Sequence, residues 1–329
     1  MKLLRSMIAL GTLFTASSLA IADQVVFEDG PNQIVLETAT RDYLVHYVGD
    51  DGTLKTIRWT PPTNIDASTR SRFNLTEAGA VRYTYTIENK KNSSQPIVDA
   101  KILVSEADEK AVTAPNSWEI SVVENPKAGA SGYWIHWSQY RTGLPPGQRQ
   151  AHYAVVKSDL PGMGHLWLSG ASSMIGFSDE GPRGKMAEYL EGDFFFAHID
   201  GVPHVAAVPR IPVPAPFSAA VVLGSIQQHV KTDMVSMQLI DPALLALIDR
   251  GLTQAIAAAQ GGNTPSLLHE IKSLRKLLKQ EHAGVDKDDD DRDDNGKEKK
   301  VKSRIDKLAA RVLDFDLKYV EKRVKGDKD

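Results

Sequence analysis

The residues best able to do chemistry are an acidic run, one aromatic segment and a scatter of histidines. Asp286 to Lys300 reads DKDDDDRDDNGKEKK, with seven aspartates inside residues 286–294. Within it, Asp291-x-Asp293-x-Asn295-Gly296 matches the first half of a calcium loop. Calcium takes about six to eight oxygen ligands, alternate residues of a tight loop can turn inward, and glycine permits the sharp bend. The second half departs from the pattern. Lys302 stands where a bidentate glutamate belongs, and Glu298 where an apolar residue locks the loop. A full helix–loop–helix site is therefore not expected. Asp291, Asp293 and Asn295 stand as a looser calcium set, and calcium is the one cofactor the sequence suggests. The competing reading is a solvated acidic linker whose like charges repel.

The aromatic segment is Tyr133-Trp134-Ile135-His136-Trp137, with Tyr140 close behind. On a strand, Tyr133, Ile135 and Trp137 share one face, and Trp134 and His136 the other. Trp134, His136 and Tyr140 are thus candidate ligand-binding residues, since an aromatic plane with polar neighbours can grip a sugar ring or a peptide. The competing reading is a strand covered on both faces. The nine histidines form no His-Glu-x-x-His pair. His198-x-Asp200 with His204 is a weak metal set, set against ordinary hydrogen-bonded histidines. Gly170-Ala-Ser172-Ser-Met174 lacks the closing glycine of a nucleophile elbow, and no phosphate or dinucleotide loop occurs.

Charge and the first residues narrow the classes further. The chain has 39 basic and 42 acidic residues, a balance that argues against a nucleic-acid partner. It has no cysteine, which excludes disulfides, thiolate metal sites and cysteine nucleophiles. Lys2 and Arg5, the apolar stretch Met7–Phe14, and Ala20-x-Ala22 follow the order of a cleavable signal peptide over 1–22. No later segment has the length of a membrane helix, so no transmembrane segment is expected after cleavage. The expected location is the bacterial periplasm or the extracellular space.

The elements that must position these residues change character along the chain. Period-2 alternation recurs at Tyr43/Val45/Tyr47, Val81/Tyr83/Tyr85/Ile87, Val98/Ala100/Ile102/Val104 and Trp118/Ile120/Val122, with turn signals between. This predicts antiparallel strands over 23–207. Residues 160–202 read as long glycine-rich loops, with short strands at His165–Leu168 and Phe194–Ile199. Val208 to Pro216, with prolines at 209, 212, 214 and 216, reads either as a stiff connector or as a sheet edge. Beyond it the period becomes helical. A helix is expected from Phe217 to about Val230. Others follow from Asp241-Pro242 to Gly261-Gly262, from Thr264-Pro265 to Ala283-Gly284, and from about Glu298 to Val324. The expected fold class is α+β by segregation in a multidomain chain: an antiparallel β-sandwich followed by a small antiparallel helical bundle. The expected domains are 1–22 signal peptide, 23–207 sandwich, 208–216 connector and 217–325 helical, with an acidic loop at 286–300.

The row Tyr83-x-Tyr85-x-Ile87-x-Asn89, then Ser94-Gln95-Pro96-Ile97, Trp118, Trp137, Pro146-Gly147 and Leu160-Pro161-Gly162, resembles immunoglobulin-like β-sandwich domains of secreted bacterial proteins. It spans about residues 80–162, and it implies a fold with no activity attached. The functional expectation is an exported, non-enzymatic binding or structural protein, with a protein or cell-envelope component as partner. The alternatives are a secreted hydrolase of polysaccharide or peptide and a calcium-dependent structural module. The hydrolase would draw on His165, Asp179, Glu180, Asp193, His198 and Asp200.

Overall fold

A computed structural model describes residues 23–106, 108–125, 131–172, 181–281 and 303–326. The expected signal peptide at 1–22 and the calcium candidates Asp291, Asp293 and Asn295 lie outside the described residues. The chain divides into two compact units, one within Met1–Thr60 and Met174–Leu190, the other within Pro61–Ser173 and Glu191–Asp329.

The first unit is an antiparallel meander of β1 (Gln24–Asp29), β2 (Asn32–Glu37), β3 (Asp42–Val48) and β4 (Leu54–Trp59). Ile34, Val45, Tyr47 and Trp59 are buried, as are Met186 and Leu190 in and just after the short helix α1 (Lys185–Tyr189). Phe27 stacks on Tyr189 with ring centroids 5.0 Å apart. Residues 24–59 therefore form a sheet of their own rather than part of one sandwich over 23–207. The chain near residue 186 returns to this sheet, and packing against a helix adds to the stability of so small a sheet.

The second unit contains β5 (Ala67–Leu75), β6 (Val81–Asn89), β7 (Ile97–Val104), β8 (Val112–Thr113), β9 (Glu119–Glu124), β10 (Tyr133–Ser138), β11 (Arg149–Lys157), β12 (Leu160–Gly170) and β13 (Val202–Ile211). They form two sheets, ordered β5-β6-β11-β8 and β13-β12-β7-β10-β9, with antiparallel pairing throughout. The inner rows pack face to face. Val81, Tyr83, Tyr85, Ile87, Tyr153 and Val155 meet Ala100, Ile102, Ile135, Trp137, Leu166 and Leu168 in one core. Trp137 lies 5.9 Å from both Tyr85 and Tyr153, and its indole N–H donates to Thr113 O at 2.9 Å.

The stretch read as loops over 160–202 is mostly regular. Leu160–Gly170 is an eleven-residue strand, and Phe195–Ile199 is a helix, α2, not a strand. The glycines that look like loop residues serve close packing. A Cβ on Gly164 would lie 2.5 Å from Val208 Cγ2, and one on Gly162 would lie 2.5 Å from Arg210 Cβ. The proline segment resolves in favour of its edge reading at its start. Val208–Ile211 belongs to β13, at the edge of its sheet, and Pro209 faces Pro161. Edge strands tolerate proline because one side of their backbone has no ladder to fill.

The helices are α3 (Ala219–His229), α4 (Pro242–Gln260), α5 (Thr264–Glu281) and α6 (Lys307–Lys325). Asp241 caps α4 by accepting from Ala243 N at 2.9 Å, with proline in the first turn. The last helix begins at Lys307, not near Glu298. Asp306 caps it, accepting from the amides of Leu308 and Ala309. The residues before it pair with the chain ahead of α4: Asp241 N donates to Arg304 O and Asp306 N to Leu239 O, each at 2.8 Å. Helices α3 to α6 pack in sequence, and α6 also meets α3, β12 and β13. Phe315 of α6 meets Phe73 of β5 edge-on at 5.1 Å. The helical layer thus shares its core with the sandwich, and the compact units do not divide at 208–216. Among the described residues no helix is long and apolar enough to cross a membrane.

Candidate functional site

The outer face of the five-stranded sheet carries the candidate site. In β10, Ile135 and Trp137 point into the core, so Trp134, His136 and Ser138 point away from it. Pairing brings Lys101 of β7 opposite His136, and Asp99 opposite Ser138. On the next strand Trp167 lies opposite Lys101, and Ser169 opposite Asp99. His165 follows on the same face of β12 by alternation. β7 is central and both its faces are largely covered, which is how a lysine and an aspartate on it become buried.

Lys101 is the electrostatic centre. It is 8 % exposed, its ammonium lies 3.4 Å from Asp200 Oδ1, and it sits 5.0 Å from the centre of the Trp134 ring. An ammonium over an indole face is attracted by the ring quadrupole, more so when water is excluded. Trp134 and Trp167 meet edge to face at 6.5 Å, and His165 lies 5.7 Å from Trp167. His136 Nδ1 is 3.3 Å from Asp99 Oδ1. Burial lowers the pKa of His165, which favours a neutral ring there. An ammonium has three donors, and one long contact to Asp200 leaves it able to bond further acceptors. Two indoles, two imidazoles, an ammonium and two carboxylates therefore share one face, able to stack against a ring and exchange hydrogen bonds with hydroxyls or amides.

Of the residues picked from sequence, Trp134 and His136 lie together on this face. Tyr140 is at its rim, 74 % exposed, beside Ser138 and Asp99. Sequence reasoning missed Lys101, Asp99, Trp167, His165 and Asp200 as members of this group. The alternation in residues 98–104 placed Asp99 and Lys101 opposite the core, but pairing with β10 and β12 is long-range.

The other sets do not assemble. His198 Nδ1 is 3.1 Å from Thr63 Oγ1, Asp200 is on Lys101, and His204 has a buried ring nitrogen without a partner. Among the described residues no three metal-capable side chains cluster. Asp179, Glu180 and the Asp193 side chain lie outside the described residues.

One His–Asp pair has the form of a catalytic dyad. His229 Nδ1 lies 2.8 Å from Asp233 Oδ2, which also accepts from Arg210 Nε at 3.1 Å, beside a cleft of about 460 Å³. A general base would need a free Nε2. Here Nε2 accepts the Met163 backbone N–H at 2.8 Å, which makes Nδ1–H the donor to Asp233. His229 is 5 % exposed, and burial lowers its pKa. Both nitrogens are engaged, so the pair pins the end of α3 to β12. Ser225 lines the same cleft, four residues before His229, whose two ring nitrogens are already bonded.

A scan against protein-family models and a search of curated proteins each found no match to this chain.

Proposed function

We propose that the protein is an exported, non-enzymatic recognition protein of the bacterial periplasm or extracellular space, and that the outer face of its five-stranded sheet binds a hydroxyl-rich ring such as a sugar. One observation carries this reading: the nearly buried Lys101 ammonium, between Trp134 and Asp200, shares a face with Trp167, His136 and Asp99. Polar groups of both hydrogen-bonding senses beside aromatic rings suit a sugar, whose hydroxyls donate and accept while its C–H face stacks on an indole. The signal-peptide pattern in residues 1–22 supports export. The neighbouring helical layer supplies a second surface for association with a protein or envelope component.

The test is titration of oligosaccharides, including peptidoglycan fragments, against intrinsic tryptophan fluorescence, with a peptide array in parallel. Expected is saturable quenching by sugars that Trp134→Ala abolishes and Trp167→Ala weakens. Binding left unchanged by both substitutions would refute the assignment of the face, and binding to peptides alone would refute the ligand class.

A further inference from the structure

Asp316 lies on α6 in the middle of the core. The residue is 0 % exposed, and neither carboxyl oxygen has a hydrogen-bond partner. A buried carboxylate without donors pays a large desolvation cost, and a neutral carboxylic acid in the same place pays much less. Cations on α6 and on the elements packed against it bond other groups. Arg275, on α5, bonds Asp314 and Glu321. Arg311, on α6, lies over the Phe73 ring of β5. Arg210, on β13, bonds Asp233, and so does His229 at the end of α3. His165 of β12 stands against Trp167 on the outer face. From β6 the group in electrostatic reach is Tyr83, whose hydroxyl donates to Asp159 O at 2.6 Å and so is not free for Asp316. The residues that β12, β13 and α3 bring to this core include Met163, Ala206, Ala207, Val222 and Ile226, all apolar.

We propose that α6 docks only with Asp316 neutral, so that docking of the C-terminal helix is proton-dependent and weakens as the pH rises. Burial also drives the group's pKa well above the usual carboxylate range. The sign follows from linkage. A carboxyl whose folded pKa is raised binds a proton in the folded state at pH values where the unfolded chain has released it. Stability from this group is therefore fully present below the unfolded pKa of about 3.9 and falls as pH rises toward the folded pKa. Within that window the unfolding equilibrium constant increases about tenfold per pH unit. α6 joins the sandwich to α3 and α5, so its release would open the core shared by both layers.

The experiment compares the full chain with Asp316→Asn and Asp316→Leu from pH 5 to pH 9, by urea unfolding and by hydrogen exchange in the peptide covering 303–326. The difference between wild type and each variant cancels the histidines and the other carboxyls. Expected is a wild type that loses stability relative to both variants as pH rises, with faster exchange in α6 first. If the Asn variant does not fold, the Leu variant gives the same comparison. Parallel pH profiles for wild type and the folded variants would overturn the proposal. So would a carboxyl ¹³C shift showing Asp316 ionised at pH 5.

Discussion

Arg275 joins two acidic residues of α6 to α5, and its removal tests how the C-terminal helix is held. Its Nε lies 2.8 Å from Asp314 Oδ1, and its Nη1 lies 2.8 Å from Glu321 Oε2. Asp314 and Glu321 are seven residues apart, about two helical turns, so both rise from one stripe of α6. Both carboxylate side chains are largely buried, at 11 % and 9 % exposure, and Arg275 is itself 21 % exposed. In Arg275→Met the two acids fare differently. Glu321 keeps Lys325, at 2.7 Å, while Asp314 loses its only hydrogen-bonding partner among the described residues. Breaking a buried pair from one side costs about 3–5 kcal/mol. Partial exposure of the arginine puts this case near the lower end, about 3 kcal/mol, or roughly a hundredfold in the opening equilibrium. The assay is urea unfolding with hydrogen exchange across 303–326. Arg275→Met/Asp314→Asn, which removes the orphaned charge, should recover most of the loss. A cost below about 1 kcal/mol for the single variant, or no recovery in the double, would refute the reasoning.

Other outcomes follow from the same structure. Trp137→Ala should cost about 3–5 kcal/mol in thermal or urea unfolding, because it empties the middle of the sandwich, whereas Trp134→Ala should cost far less and change binding instead. His229 has a lowered pKa, so its contribution is complete above the unfolded value of about 6.5 and is lost as pH falls through the folded one; replacing it with glutamine should remove that part of the acid-side loss, read from melting curves between pH 4 and 7. Gly164→Ala should lower the melting temperature, since its Cβ would lie 2.5 Å from Val208, with Val208→Ala as the compensating change. Asp241→Ala should cost about 1 kcal/mol through the lost cap of α4, measured by chemical denaturation.

The change from two-residue to helical periodicity near residue 217, the caps Asp241-Pro242 and Gly261-Gly262, and the split faces of Tyr133–Trp137 were all legible in the chain. Each depends on neighbours within a few residues, where backbone geometry and side-chain direction are local. What surrounds Trp134 was not legible. Lys101, Trp167 and Asp200 reach it through strand pairing and chain return across tens of residues, and register between distant strands leaves no local mark. The same holds for β12, whose glycines look like loop residues until Val208 and Arg210 are seen packed on them. Helix α6 is the clearest case. Nothing local in the sequence of 307–325 marks Asp314, Asp316 and Glu321 as buried. Burial on nearly every side is a property of what packs around a helix, and it turned one of those acids into a carboxyl without a partner and two into ligands of Arg275.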